Sequence, residues 1–262
     1  MSYTNAYSSP PPPPAIPHSE LLGPEPYDIN WIFPIHPDTL ENDRVKLVPF
    51  IPGEYGDEFY AETAKDPLFF RYYSTVWHDK NEWLTWLERD VRRNPENIYF
   101  AIIDKTRADA SHPHRGGSLA GALGFFGCSD AHLNAEIAYV AVFHGFQRTH
   151  VASNAIGLLM RFALELPGSS PPGLGLRRVS WRAHHKNLPS VRLAERMGFA
   201  HEGTARWIWA VAEERAIDGI VPREGDKWPA RFGRHAIILS TCWVDWEGGV
   251  RELVQKQMNR EN

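Results

Sequence analysis

The segment from Asn187 to Val211 constrains the fold of this chain more than any other part of the sequence. Asn187 suits a helix N-cap, because its side-chain oxygen can accept a backbone amide proton that is unpaired at the start of a helix. Apolar residues then recur at helical spacing as far as Met197, and Gly198 stands where a left-handed residue closes a helix. After Phe199 the pattern changes to the alternation of a strand. The sequence therefore predicts a short capped helix, a tight turn and a strand.

The same segment carries an eight-residue motif over 20 positions, N-x-x-S-x-x-x-A-x-x-x-G-F-x-x-E-G-x-x-R. This motif resembles the cofactor-side motif of the GNAT family of acyl-CoA-dependent N-acetyltransferases. Within the family it is most similar to the RimJ/RimL type, which acetylates protein N-terminal amines or small amines. The matching residues are Asn187, Ser190, Ala194, Gly198, Phe199, Glu202, Gly203 and Arg206. The resemblance implies an α/β fold with a mixed central sheet of about six or seven strands flanked by helices. An ordinary capped helix in another α/β protein is the alternative.

A second segment, which starts at Phe146, predicts a phosphate site. A short loop leads from a strand into a helix, and such a junction leaves backbone N–H groups free to bind phosphate. GNAT enzymes carry Q/R-x-x-G-x-G/A here and hold the pyrophosphate of acetyl-CoA with it. This chain keeps Gln147 and Ala152 but has His150 in place of the first glycine. The residues that the resemblance assigns to acetyl-CoA are Val140, Val142, Gln147, Arg148, Thr149, His150, Val151, Ala152, Asn187 and Ser190.

The remaining segments predict strands and helices around these two motifs. We expect strands at residues 44–50, 98–104, 118–127, 135–143, 176–183, 207–213 and 235–243, and further helices at 54–65, 79–91 and 246–258. The strands 135–143 and 176–183 would be parallel, since a helix connects them. In the family these two strands splay apart, and the pantetheine of the cofactor lies in the gap.

Composition divides the chain into two parts. Residues 1–38 include the five consecutive prolines Pro10–Pro14, which favour polyproline II structure and cannot form a packed core. We expect a Pro-rich, partly disordered tail there and a GNAT N-acetyltransferase domain over residues 39–262. Trp31 and Phe33 are apolar enough to lie against the domain surface. The proline run itself could dock on a groove of the SH3 or WW kind.

Charge and cysteine usage exclude several classes of protein. The formal net charge is −4, so no global basic field attracts nucleic acid or an anionic membrane. Cys128 and Cys242 are far apart, which argues against a disulfide scaffold and against structural zinc, and fits a reducing compartment. No apolar run approaches the roughly 20 residues that span a bilayer. We expect a cytoplasmic monomer or homodimer without a metal, and a nuclear location is left open.

The reaction that the resemblance implies is attack of a neutral primary amine on the thioester of acetyl-CoA. A protonated amine has no free lone pair, so a base must first take its proton. Glu136 is the first candidate, because a carboxylate in a partly apolar cleft can have a raised pKa. The alternative is an exposed strand residue or a structural anchor. One of His184 and His185 could instead relay a proton, since adjacent strand residues point to opposite faces.

Two further groups are needed for the transfer. The thioester oxygen gains negative charge, and the resemblance assigns its stabilisation to backbone N–H groups of the region Val140–Val142. The leaving thiolate needs a proton or a hydrogen bond. Ser190 and Asn187 are the catalytic candidates for this step by motif position, and each has an alternative role as a helix cap.

Aromatic residues indicate where the acceptor amine would bind. In acetyltransferases of this type the region between the first two helices forms part of the acceptor pocket. The candidates are Phe69, Phe70, Tyr72 and Tyr73, together with Trp207 and Trp209. They favour an apolar or aromatic amine, and core packing is the alternative for each. The alternative function is a catalytically inactive GNAT fold that binds acyl-CoA or protein, which His150 in the phosphate loop would permit.

Overall fold

The computed structural model describes residues 1–260 and has a seven-stranded sheet at its centre. The strands are β1 (Val45–Pro49), β2 (Ile98–Asp104), β3 (Ser118–Ser129), β4 (Asn134–Val142), β5 (Arg178–His184), β6 (Ala200–Val211) and β7 (Phe232–Cys242). In space they follow the order β1-β2-β3-β4-β5-β7-β6. The pair β4 and β5 is parallel and the other paired strands of this sheet are antiparallel. The predicted α/β fold with a mixed sheet is therefore confirmed.

Helices flank this sheet. They are α1 (Pro52–Ala64), α2 (Lys80–Trp86), α3 (His150–Leu164), α4 (Leu188–Arg196), α5 (Trp243–Asp245) and α6 (Arg251–Met258). Shorter 3-10 turns occur at His18–Glu20, Pro37–Leu40, Pro113–Arg115, His144–Phe146 and Glu213–Arg215, and wider π turns at Leu87–Arg92 and Trp246–Val250. None of these helices is both long and apolar enough to cross a membrane.

Two helices differ from their predicted bounds. Helix α1 begins at Pro52, two residues before the predicted start at residue 54, and the missing N–H of proline costs nothing there. The C-terminal helix, predicted as one piece, is broken at Gly249, whose φ of 126° lies outside the helical region. Beyond the break, α6 packs on α3 and buries Val254 and Met258 in the core.

Buried side chains form two clusters, one on each face of the sheet. β2 shows the division most clearly, because its successive side chains point to opposite faces. Phe100 and Ile102 pack into the cluster that includes α3, α4 and α6. Tyr99 and Ile103 pack into the cluster that includes α1 and α2. The sheet is thus covered on both sides.

Part of the N-terminal segment contacts this core. Leu21 is buried beside α1 and α2, and Phe33 is buried on the α3 side. The ring of Trp31 stacks on Phe125 at 6.0 Å between centroids, and its Nε1 donates to Cys128 Sγ at 3.4 Å. The prolines at positions 10–14 are exposed. The division of the chain at residue 38 stays a prediction.

The parallel strands β4 and β5 separate after a short contact. They pair over three residues, Asn134–Glu136 with Arg178–Ser180, and the described residues show no further pair between them. A bulge in β4 lies just beyond this point, where the register with β3 shifts and Tyr139 has a φ of 51°. The splay of these two strands is therefore confirmed.

A carboxylate on β6 ties β5 and β7 to the edge of the sheet. Glu202 accepts hydrogen bonds from Nη1 and Nη2 of Arg178, both at 2.6 Å, and from Ser240 Oγ at 2.7 Å. These hydrogen bonds lower the pKa of Glu202 to about 2, and those from Arg178 contribute more than the one from Ser240.

We expect the ion pair between Glu202 and Arg178 to stabilise the fold at pH values above the ordinary carboxyl pKa of 4.5. This stabilisation is lost as the pH falls towards about 2. Since Glu202 is 38% exposed, the contribution is about 1 kcal/mol or less. Urea unfolding at pH 7 and pH 3 checks this. Wild type should lose more stability between the two pH values than Glu202→Gln does, and parallel losses would contradict the assignment.

Candidate active site

The gap between β4 and β5 opens into a cleft of about 1000 Å³. Its walls come from residues 66–74, β4, the loop before α3, β5 and α4. The residues predicted from the sequence that line it are Phe69, Tyr72, Tyr73, Glu136, Val140, Val142, Gln147, Arg148, Thr149, Ala152, His184, Asn187, Ser190 and Trp209. Residues that are far apart in the sequence are therefore brought together in one cavity.

Four other residues that the sequence assigned to the cofactor or the acceptor lie outside this lining. Phe70 packs against Phe59 and Trp77 in the α1–α2 cluster. Val151 is fully buried in the core beneath α3. Trp207 of β6 is 46% exposed and covers Gly233 of β7. The fourth, His150, points towards β2.

The N-terminus of α3 is one end of the cleft. Thr149 caps this 15-residue helix, with its Oγ1 accepting from the Val151 amide at 3.3 Å. The amides of the first turn have no intrahelical partner, so they can donate to a phosphate. His150 Nε2 lies 3.1 Å from Asp104 Oδ1, which turns the ring away from the loop. His150 therefore offers its backbone amide alone to a ligand in the cleft.

The bulge in β4 supplies backbone donors in the middle of the cleft. Ala138 lies opposite Gly124 and Ala141 opposite Ala122, so two residues of β4 face one of β3 between these pairs. Val140 is one of those two residues and lines the cavity. Because β5 has diverged, no strand among the described residues pairs with residues 138–142 on that side. Fixed amide donors of this kind can stabilise a developing oxyanion.

Glu136 lies at the point where the two strands separate. It is opposite Ser180 in the last paired row, and 12% of its side chain is exposed. Arg182 Nε donates to its Oε2 at 2.5 Å. Burial raises the pKa of Glu136 above its ordinary value, while the nearby Arg182 and Arg234 oppose that shift. The result is a carboxylate that takes a proton more readily than an exposed one does.

The register of the sheet places further side chains on the same face as Glu136. Residues that pair across neighbouring strands point to the same side. Arg182 pairs with Ile238, His184 with Ala236, and Trp209 with Arg234, and successive even-numbered positions of β7 share one face. Glu136, Arg182, His184, Trp209 and Arg234 therefore all project from one face and line the cleft.

His184 belongs to a polar cluster beside this face. Its Nδ1 accepts from the Lys186 amide at 3.1 Å, so the proton of the neutral ring is on Nε2, which lies 3.2 Å from Asp218 Oδ2. Burial lowers the pKa of His184 to about 4, so the ring is neutral at pH 7. His185 Nε2 lies 3.3 Å from the other Asp218 oxygen. The Nδ1 lone pair of His184 is therefore occupied, whereas its Nε2 and both Asp218 oxygens are buried without a hydrogen-bond partner within the described residues.

Two motif residues at the start of α4 have clear local roles. Asn187 caps the helix, as predicted, with its Oδ1 accepting from the Ser190 amide at 3.4 Å. Ser190 Oγ accepts from Trp181 Nε1 at 3.1 Å. A hydroxyl has one proton to donate and two lone pairs, so this contact leaves the Ser190 O–H free to donate into the cleft.

Sequence reasoning missed three charged residues of the site, namely Arg182, Asp218 and Arg234. Arg182 had a usable signal, because the alternation of R-V-S-W-R-A puts it on the face opposite Trp181. Asp218 lies in an irregular segment before β7 and Arg234 lies near the start of β7. The partners of these two residues depend on long-range strand pairing, which no local pattern reveals.

Comparison with known proteins agrees with this architecture. The model of the Acetyltransferase (GNAT) domain matches residues 44–200. No curated protein matches the chain. A solved GCN5-related N-acetyltransferase from Brucella melitensis is 24% identical, with a TM-score of 0.65 over 85% of this chain and 86% of that one.

Two more distant solved structures share the fold. The spermidine/spermine N-acetyltransferase SpeG from Vibrio cholerae is 13% identical, with a TM-score of 0.53 over 79% of this chain and 98% of that one. The Microcin C7 self immunity acetyltransferase MccE, solved with acetyl-CoA and AMP, is 18% identical, with a TM-score of 0.53 over 77% and 93%. Since the family model spans more than half of the sequence and the splayed sheet is present, the chain belongs to the GNAT acetyltransferase family.

Proposed function

We propose that this protein is an N-acetyltransferase of the RimJ/RimL type, which transfers the acetyl group of acetyl-CoA to a primary amine by direct attack. The observation that carries the proposal is a carboxylate with a raised pKa and only 12% of its side chain exposed, Glu136, at the point where β4 and β5 separate. The acceptor is a small molecule or a protein N-terminus. A cytoplasmic location and a monomeric or homodimeric state are expectations from the composition.

Acetyl-CoA would occupy the cleft from the α3 N-terminus inwards. The first-turn amides of α3 are suited to its phosphates, and Arg148 adds a positive charge beside them. Ala152 lines the same wall and has a side chain small enough to permit close approach. MccE, which shares the fold, was solved with acetyl-CoA, and this supports the choice of donor.

The acetyl group would pass directly from acetyl-CoA to the amine. Glu136 takes a proton from the ammonium form of the acceptor, which gives the nitrogen a lone pair. The nitrogen bonds to the thioester carbon while the backbone donors near Val140 stabilise the oxyanion. The carbon–sulfur bond then breaks, and the second proton of the nitrogen passes to the sulfur, aided by a hydrogen bond from Ser190. The products are the amide, the free CoA thiol and one released proton.

Calorimetric titration with acetyl-CoA tests the donor site. We expect wild type to bind with a Kd on the order of micromolar, and Ala152→Phe to bind at least about tenfold more weakly because the ring fills the phosphate end. Ala61→Phe is the matched control, since Ala61 is an exposed alanine of α1 and should leave binding unchanged. Absence of binding by wild type, or equal weakening in both variants, would contradict the assignment.

A further inference from the structure

Arg234 is a buried arginine in the wall of the cleft, and its side chain is only partly used by the protein. The residue is 6% exposed. Its Nη2 donates to the Tyr72 carbonyl at 2.8 Å, and its guanidinium carbon lies 4.6 Å from the centre of the Trp209 ring. In the part of the chain that the structure describes, its Nε and Nη1 are buried without any hydrogen-bond partner. Two donors are therefore unsatisfied next to an open cavity.

The carboxylates nearest to Arg234, those of Glu136 and Asp218, lie closer to other nitrogens than to its guanidinium. Glu136 is bonded to Arg182. Asp218 has three nitrogens within 3.4 Å, which belong to His184, His185 and Lys186. Within residues 1–260 no carboxylate oxygen lies within 4.0 Å of the Arg234 guanidinium. Burial lowers the pKa of Arg234 to about 10, so the group still carries its charge at pH 7.

An unpaired buried charge is expensive, and a ligand that supplies the partner is one reason for a protein to keep it. We propose that Arg234 binds a carboxylate of the acceptor, so that the acceptor is an amine that also bears a carboxylate, such as an amino acid or a short peptide. This inference rests on the proposed function and names its substrate class. A carboxylate brings one negative charge to match the one unpaired positive charge, whereas a phosphate dianion would bring an excess. The Trp209 ring, which faces the guanidinium, and Tyr72, which also lines the cleft, fit an apolar side chain on the same molecule.

Matched pairs of acids and amides test whether the wild-type protein binds the carboxylate of an acceptor, and the test does not require turnover. Phenylalanine, tyrosine, leucine and the dipeptide glycyl-phenylalanine are each titrated by calorimetry beside their C-terminal amides. We expect at least one acid to bind about 10- to 100-fold more tightly than its amide, the range for a hydrogen bond to a charged group. If no acid binds more tightly than its amide, the proposal is overturned.

A variant locates the preference at Arg234. Arg234→Met keeps a long apolar stem and removes the charge, so the ratio of acid to amide affinity should fall to about one while acetyl-CoA affinity stays unchanged. An unaltered ratio in this variant would overturn the proposal. If Arg234→Met does not fold, the titrations of the wild-type protein with acids and amides still test the proposal. If acids bind more tightly than amides but no acetyl transfer occurs, the proposed enzymatic function is contradicted and the Arg234 site stands. If amides are acetylated as fast as acids, only the Arg234 site is contradicted.

Discussion

Replacing Glu136 with glutamine should lower kcat for amine acetylation by about 10²- to 10⁴-fold, the range expected when a general base is removed. Glutamine keeps the shape of the side chain and a hydrogen bond from Arg182 but cannot take a proton. Glu136 lies at the splay of β4 and β5 and not at the α3 N-terminus, so the Kd of acetyl-CoA should change by less than about twofold.

The pH dependence gives a second readout of Glu136. Because burial raises its pKa, the carboxylate becomes active at a higher pH than an ordinary glutamate would. The rate of wild type should rise with pH through that pKa, and Glu136→Gln should lack this rise. Glu96→Gln is the control, since Glu96 is an exposed carboxylate at the rim of the same cleft. A Glu136→Gln variant with full kcat and an unchanged profile would exclude Glu136 as the base.

The largest loss of stability is expected for Gly121→Ala. Gly121 has a φ of 147°, and a Cβ at this position would lie 2.0 Å from the Ala141 carbonyl oxygen. The clash falls where β3 supports the bulged part of β4. Neither the added Cβ nor the Ala141 carbonyl oxygen can move aside, because the backbone fixes the position of each. We expect the free energy of unfolding to drop by about 4 kcal/mol or more, which is among the largest single-residue effects.

Gly116→Ala is the matched control for Gly121→Ala. Gly116 also has a positive φ, 72°, but an added Cβ would meet no atom within 4 Å. Its cost is therefore the conformational strain alone, about 1 kcal/mol. Urea unfolding of both variants separates the clash from the strain. Equal losses would show that the close approach of β3 and β4 at Gly121 does not constrain the fold.

The features that sequence reasoning could predict are those that local chemistry decides. The Asn187 cap and the left-handed Gly198, whose φ is 92°, were both predicted from neighbouring residues and are both observed. The splay of β4 and β5 came from the family resemblance, because no residue type marks it. Tyr139, with its positive φ, gave no signal, since tyrosine rarely adopts that conformation and the surrounding sheet imposes it.

Other parts of the site depend on pairing between distant segments. Trp207 and Trp209 were both expected in the acceptor pocket, but the register of β6 shifts between Ala205 and Trp209, and Trp207 has a φ of 51°. This irregularity sends Trp207 to the surface while Trp209 lines the cleft. The contact of His150 with Asp104 likewise joins residues 46 positions apart, which helical periodicity cannot reveal.

The most direct test of the central claim is amine-dependent release of the CoA thiol by the intact protein. Acetyl-CoA is supplied with a panel of primary amines that includes amino acids, peptides with free N-termini and polyamines, and mass spectrometry identifies the product. We predict that at least one amine becomes N-acetylated at a rate well above that of Glu136→Gln. If acetyl-CoA binds but no amine is acetylated faster than by that variant, the protein is an acyl-CoA-binding member of the family and not an enzyme.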